Sequence, residues 1–122
     1  MLKNRLALLA LAVACAPLLW ALPAGAKGTA VHATAVTVTA GKPSEFHFTL
    51  SKKSGAAGAY TFKVTNKGQL PHDFKIAGKK TKLISPGQSQ SLTVTLKKGS
   101  FPYLCTVTGH AAAGMKGTFK VT

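Results

Sequence analysis

The 122-residue sequence predicts an all-β fold, a sandwich or barrel of seven or eight strands. Apolar and polar side chains alternate through most of the chain after residue 26, which is typical of strands with one buried face. Turn residues separate these runs at intervals of about 8–15 residues, a spacing that favours a sandwich or barrel. No stretch after residue 26 has helical periodicity, so nothing in the pattern favours a mixed fold.

The predicted strands follow one another along the chain, and alternation assigns an inner face to each. Residues 29–40 are rich in valine and threonine, and the alternative to one continuous strand is a break near Ala33. The inward faces of the later strands are Phe46, Phe48 and Leu50; Tyr60, Phe62 and Val64; Phe74 and Ile76; Leu92, Val94 and Leu96; Phe101, Tyr103, Cys105 and Val107; and Met115, Phe119 and Val121. The alternate positions, which include Glu45, His47 and Asp73, are predicted to face outward. Turn chemistry lies between the strands at residues 41–43, 55–58, 66–68, 78–80, 85–87 and 97–99.

The first 26 residues resemble a secretory signal peptide. A short positive start precedes an almost wholly apolar run, residues 6–22, and the small residues 24–26 match the site that a signal peptidase reads. We therefore expect cleavage after Ala26 and a single domain over residues 27–122. Two alternatives stay open: an uncleaved membrane anchor, because the apolar run is nearly long enough to span a bilayer, and lipidation at Cys15.

Charge and cysteine content limit the functions that are possible for residues 27–122. This part carries 14 lysines, no arginine and only two acidic residues, Glu45 and Asp73. We expect no nucleic-acid binding, because there is no basic motif interleaved with aromatic residues, whereas association with an anionic membrane surface is compatible with the charge. Cys105 is the single cysteine left after cleavage, and a lone thiol in an exported protein is open to oxidation.

The stretch "YLCTVTGHAAAGM" places Cys105, His110 and Met115 around one end of the predicted sandwich. Cys105 closes one strand facing inward, and Met115 opens the last strand facing inward, so the loop returns to the end that it left. The segment "LPHDF" supplies His72 at the start of another strand. Two imidazoles, a thiolate and a weak axial thioether suit copper that cycles between two oxidation states. Structural zinc sites favour more thiolates and rarely use methionine.

This ligand pattern resembles that of the blue (type 1) copper proteins, the cupredoxins, of the plastocyanin and azurin type. "PHDF" followed by C-x4-H-x4-M carries the resemblance, which covers nearly all of residues 27–122. It implies a Greek-key β-sandwich and one copper ion. It matches His72 to the upstream histidine, Cys105 to the thiolate, His110 to the histidine at the solvent edge and Met115 to the axial ligand.

Two positions depart from the family pattern. Asp73 stands where asparagine is common; it could accept hydrogen bonds from Thr106, and its charge would stabilise Cu(II) and lower the reduction potential. The alternative is a plain exposed carboxylate. Thr108 stands where proline is common, which predicts a looser loop. His32 and His47 have no ligand-spaced partners, and we interpret both as surface residues.

The predicted function is one-electron transfer through Cu(II)/Cu(I) by an exported, monomeric protein of the periplasm, cell envelope or extracellular space. The expected partners are redox proteins with acidic patches, steered by lysines such as Lys75 and Lys116. A docking surface is predicted around His110, formed by Leu70, Pro71, Gly109, Ala111, Ala112, Ala113 and Gly114. The alternatives are a copper buffer or chaperone and a non-metal binding module. We expect no enzymatic activity, because copper oxidases need further histidine sites.

Overall fold

The computed structural model describes Gly25 and residues 32–122. The predicted leader and its cleavage site lie outside the described residues, apart from Gly25. The described part forms nine strands and no helix, so it holds no helix that could span a membrane. The strands are β1 (Thr34–Ala40), β2 (Phe48–Leu50), β3 (Ser54–Gly55), β4 (Gly58–Asn66), β5 (Lys75–Ile76), β6 (Lys79–Lys80), β7 (Ser89–Leu96), β8 (Gly99–Leu104) and β9 (Lys116–Val121).

The strands form two sheets, and the predicted all-β sandwich is confirmed. One sheet has the order β2-β1-β4-β7, and the other has the order β3-β9-β8-β5-β6. In the first sheet β1 runs parallel to β4 and antiparallel to β2. In the second sheet β8 lies between β9 and β5 and is antiparallel to both. Neighbours in the sheets are therefore often distant in sequence, and loops from separate segments meet at the sheet ends.

The core lies between the sheets and is built from the inward positions of the alternating pattern. Four aromatic side chains, Tyr60, Phe62, Phe74 and Phe119, are at most 1% exposed. Phe62 is at their centre, with ring centroids 5.4 Å from Phe74 and 5.5 Å from Phe119. Aromatic contacts of this kind join the two sheets, because β4 and β9 belong to different sheets. The predicted inner faces of these strands are thus confirmed.

Three local predictions were wrong. The strand expected at residues 44–50 is confined to Phe48–Leu50, and Glu45 lies in the turn before it. Asp73 does not face outward, since it is only 5% exposed. The short strands β3 and β6 were not predicted, which is why the described residues contain nine strands instead of seven or eight. Both overlap stretches that were predicted as turns, residues 55–58 and 78–80, so the turn residues there concealed the pairing.

Buried Asn66, at the end of β4, organises the loop that leads to His72. Its side-chain nitrogen donates to the carbonyl oxygens of Leu70 and Ile84, both at 2.8 Å, and its side-chain oxygen accepts from the Gly68 N–H at 2.9 Å. His72 then exchanges two backbone hydrogen bonds with Ile84, at 3.1 and 2.7 Å. The loop is therefore anchored immediately before and at the predicted ligand.

Candidate metal centre

Three predicted ligand atoms converge at one end of the sandwich. The Nδ1 atoms of His72 and His110 lie 3.1 Å apart, and Cys105 Sγ lies 4.0 Å from the first and 3.6 Å from the second. The pairing of β5 with β8 brings His72 and Cys105 together, because His72 shortly precedes β5 and Cys105 directly follows β8. All three residues are buried, and His110 is the most exposed at 8%.

The loop between Cys105 and Met115 is closed by its own backbone. The Cys105 N–H donates to the Met115 carbonyl oxygen at 3.1 Å, and the Met115 N–H donates to the His110 carbonyl oxygen at 3.1 Å. The His110 N–H donates to the Val107 carbonyl oxygen at 3.0 Å. Met115 itself is fully buried. These bonds hold the loop ends together and fix where the His110 side chain leaves the backbone.

Asp73 fastens the His72 segment to the Cys105 segment. Its Oδ1 accepts from the Thr106 N–H at 2.6 Å, and its Oδ2 accepts from the Thr106 hydroxyl. The exposed Lys80 ammonium lies 4.0 Å from Oδ2. Asp73 therefore joins the two ligand-bearing segments through Thr106, as the alternative of a bonded carboxylate predicted, and it is not a plain exposed residue.

Glu45 also contacts the site, although its position in the sequence did not predict this. Its Oε1 lies 2.7 Å from Nε2 of His72, and the carboxylate also accepts from the backbone N–H groups of Gln69 and Leu70. Donation from Gln69, and then from Leu70, lowers the pKa of Glu45 from 4.5 to about 2, and His72 contributes less. A signal was present in composition, since Glu45 is one of two acidic residues among 16 basic ones.

Burial changes the pKa values of two predicted ligands, Cys105 and His110. It raises the pKa of the Cys105 thiol, because the thiolate loses its hydration. Burial also lowers the pKa of His110, with the charge of neighbouring His72 adding to the effect. A neutral imidazole offers a lone pair, and a buried thiolate needs an adjacent positive charge. His110 is therefore held in the neutral form that can bind a metal ion, whereas Cys105 must lose its proton when a metal ion binds.

Comparison with known proteins identifies the family. The profile of the copper binding proteins, plastocyanin/azurin family, matches residues 26–122. The chain belongs to this family. No match was found among curated protein sequences.

Solved structures of other cupredoxins share the fold. Auracyanin B is 23% identical with a TM-score of 0.64, over 74% of this chain and 89% of its own. Auracyanin A, a "blue" copper protein from Chloroflexus aurantiacus, is 18% identical with a TM-score of 0.65, over 75% and 100%. Rusticyanin from Thiobacillus ferrooxidans is 22% identical with a TM-score of 0.60, over 72% and 76%. At these identities the likeness shows the β-sandwich fold.

The donor set of this cupredoxin fits one type 1 copper ion. A soft thiolate beside two imidazole nitrogens is the set that copper prefers in electron-transfer proteins, and the described residues hold this set as one buried group of His72, Cys105 and His110. Met115, as the axial ligand, stays a prediction. His32 and His47 are exposed and lie outside this group.

The predicted docking surface consists of exposed residues around a nearly buried imidazole. Gly109, Pro71 and residues 112–114 are exposed, and Ala111 is partly so. Leu70 is 42% exposed, which is unusual for a large apolar side chain in the described part of this cupredoxin. The residues predicted to meet a partner are therefore accessible, whereas His110 presents only a small part of its surface.

Proposed function

We propose that this protein is an exported one-electron carrier with a single type 1 copper site. The four proposed ligands are His72, Cys105, His110 and Met115. One observation supports the proposal most directly. The ligand atoms of the first three residues lie within 4.0 Å of one another, and backbone and carboxylate hydrogen bonds join the segments that carry them. Residues 1–26 would serve as the export signal, and residues 27–122 would form the carrier.

Bound copper would supply one redox step, between Cu(II) and Cu(I). The protein's part is to keep the same donors in place for both states. Asn66 and Asp73 restrain the two segments that carry His72 and Cys105, so little rearrangement should accompany the gain or loss of the electron. A donor protein would lose one electron and an acceptor would gain it, with no bond made or broken in this chain. Such a role needs no enzymatic activity.

Retention of copper during redox cycling distinguishes a carrier from the alternative, a copper buffer or chaperone. We expect the purified protein with one equivalent of Cu(II) to be reduced and reoxidised repeatedly with one electron per chain. The metal should stay bound in the presence of a mild chelator, because the donors are buried. Optical redox titration followed by metal analysis of the desalted protein measures both properties. Loss of copper to the chelator in either oxidation state would favour the buffer or chaperone.

Electrostatic steering is the proposed basis of partner choice. Lys75 and Lys116 are the cross-strand neighbours of Leu104, which directly precedes Cys105. Both are exposed on the outer face of the second sheet, so they put positive charge next to the site. This charge would favour partners with acidic patches. A monomeric carrier with a positive surface could also associate with an anionic membrane.

Salt should slow electron transfer to an anionic oxidant. With hexacyanoferrate(III), we expect the second-order rate constant to fall at least about tenfold from low to high ionic strength, because screening removes the attraction. The reaction starts from the Cu(I) protein, and stopped-flow recording of the copper absorption as it appears on oxidation measures this rate.

Two variants test the steering, Lys75→Glu and Lys116→Glu, and Lys97→Glu is their matched control. Lys97 is exposed just before β8, at the strand end opposite Cys105. The first two variants should slow the reaction more than the third. Equal rates in all three, or a rate that is insensitive to salt, would contradict steering by this region.

A further inference from the structure

Glu45 contacts the His72 imidazole on the side away from the proposed metal. Its Oε1 is 2.7 Å from Nε2 of His72, 3.0 Å from the Leu70 nitrogen and 3.1 Å from the Gln69 nitrogen. Its Oε2 is 2.9 Å from the same Gln69 nitrogen. The side chain is only a quarter exposed. Four contacts from three groups hold this carboxylate in one orientation.

Two glycines make room for this contact. A Cβ atom on Gly68 would overlap the Glu45 carboxylate, and a Cβ atom on Gly41 would overlap the backbone of Gly68. Gly41 also has a φ of 79°, a conformation that favours glycine. The turn that carries Glu45 and the loop that precedes His72 are thus packed backbone to backbone. The close approach of Glu45 to His72 therefore depends on a glycine in each segment.

The contact determines which nitrogen of His72 can bind a metal. An ionised carboxylate only accepts hydrogen bonds, so Nε2 must carry the proton that it donates. In the neutral ring, Nδ1 then has the lone pair, and Nδ1 is the atom that faces His110 Nδ1 and Cys105 Sγ. Carboxylates that orient metal-binding histidines in this way raise the basicity of the ring and strengthen metal binding.

The same turn also contacts the second imidazole. Phe46 packs against the ring of His110, with centroids 5.0 Å apart and an interplanar angle of 63°. Glu45 and Phe46 therefore support both histidines from one segment, which contributes no ligand itself. Only two acidic residues are present in the whole chain, and both lie at this site.

We propose that Glu45 is a positioning residue of the copper site, which fixes His72 with Nδ1 available to the metal and whose negative charge favours Cu(II) over Cu(I). This inference rests on the proposed role of His72 as a ligand. It adds a second carboxylate to Asp73, with a different action: Asp73 joins the two ligand segments through Thr106, whereas Glu45 acts directly on a ligand ring.

Two substitutions separate the hydrogen bond from the charge. Glu45→Gln keeps an oxygen at the position of Oε1 but removes the charge, so the His72 tautomer should persist. The oxidised-to-reduced equilibrium should shift toward Cu(I) by about tenfold, which is about 59 mV higher in potential for a one-electron couple. Glu45→Ala removes both the hydrogen-bond acceptor and the charge. His72 should then populate the tautomer that is protonated on Nδ1, and copper affinity should fall about 10–100-fold. Ser44→Ala, an exposed neighbour in the same turn, should match the wild type in all three measurements.

The measurements are long-range ¹H–¹⁵N NMR of His72 in the copper-free protein, competition titration with Cu(II), and optical redox titration. An unchanged His72 tautomer in Glu45→Ala would overturn the positioning role, and an unchanged or lower potential in Glu45→Gln would overturn the electrostatic role. Failure of the wild type to bind copper would instead refute the proposed function, because the NMR result for His72 does not depend on the metal.

Discussion

Replacing Cys105 with serine is expected to abolish the intense visible absorption of the Cu(II)-loaded protein. The proposed origin of this band is charge transfer from the Cys105 thiolate to copper, and a serine hydroxyl is neither soft nor deprotonated in a buried site. The substitution is close to isosteric, and Cys105 is 1% exposed, so the fold should persist with the two imidazoles still in place. Visible spectra of both proteins with one equivalent of Cu(II) measure the effect.

Thr108→Ala provides the control for this experiment. Thr108 is an exposed residue of the same loop, between two proposed ligands, and the backbone hydrogen bonds of its neighbours close the loop without its side chain. We expect this variant to keep the full intensity of the band. A colourless wild type would refute the proposed site, and an intense band in Cys105→Ser would show that the thiolate is not its source.

Truncating Phe62 to alanine is expected to lower the free energy of unfolding by about 3–5 kcal/mol. The Phe62 ring is fully buried and packs against Phe74 and Phe119, so its removal leaves a cavity between the two sheets. For a domain of this size, the melting temperature should fall by at least about 12 °C. Chemical denaturation of the copper-free protein measures the free energy, because bound metal would add its own stabilisation.

Lys63→Ala is the matched control for Phe62→Ala, because Lys63 is the next residue of β4 and points to solvent. Its effect should lie within about 0.5 kcal/mol of zero. If the free energy of unfolding of Phe62→Ala were within about 1 kcal/mol of the wild-type value, the Phe62 ring would not be the centre of the core.

The strand interiors were predictable because alternation is a local property. Successive side chains of a strand point to opposite faces, so a few residues of sequence are enough to predict that Phe62 and Val64 are buried. The same reasoning failed at Glu45 and Asp73. Alternation assigned both to the outer face, but Glu45 lies in a turn, and its hydrogen-bond partner His72 is 27 positions away. Neither the turn nor the partner leaves a periodic signal.

The predicted ligands illustrate the same division. Cys105, His110 and Met115 lie within eleven residues, and their types and spacing are sufficient to indicate copper. The distance between His72 and Cys105 depends on the pairing of β5 with β8, which joins segments 33 positions apart. Asp73 could be proposed as a partner of Thr106, but its exposure stayed open until the two segments were placed side by side.

The sequence by itself thus determined the all-β class, the inner faces of the long strands and the chemical identity of the proposed copper donors, because each of these depends on residue type and short-range spacing. Only the tertiary structure decided the short strands, the burial of Asp73 and the contact of Glu45 with His72. These features depend on which distant segments become neighbours, and close approach at glycines such as Gly41 and Gly68 is settled by packing between loops.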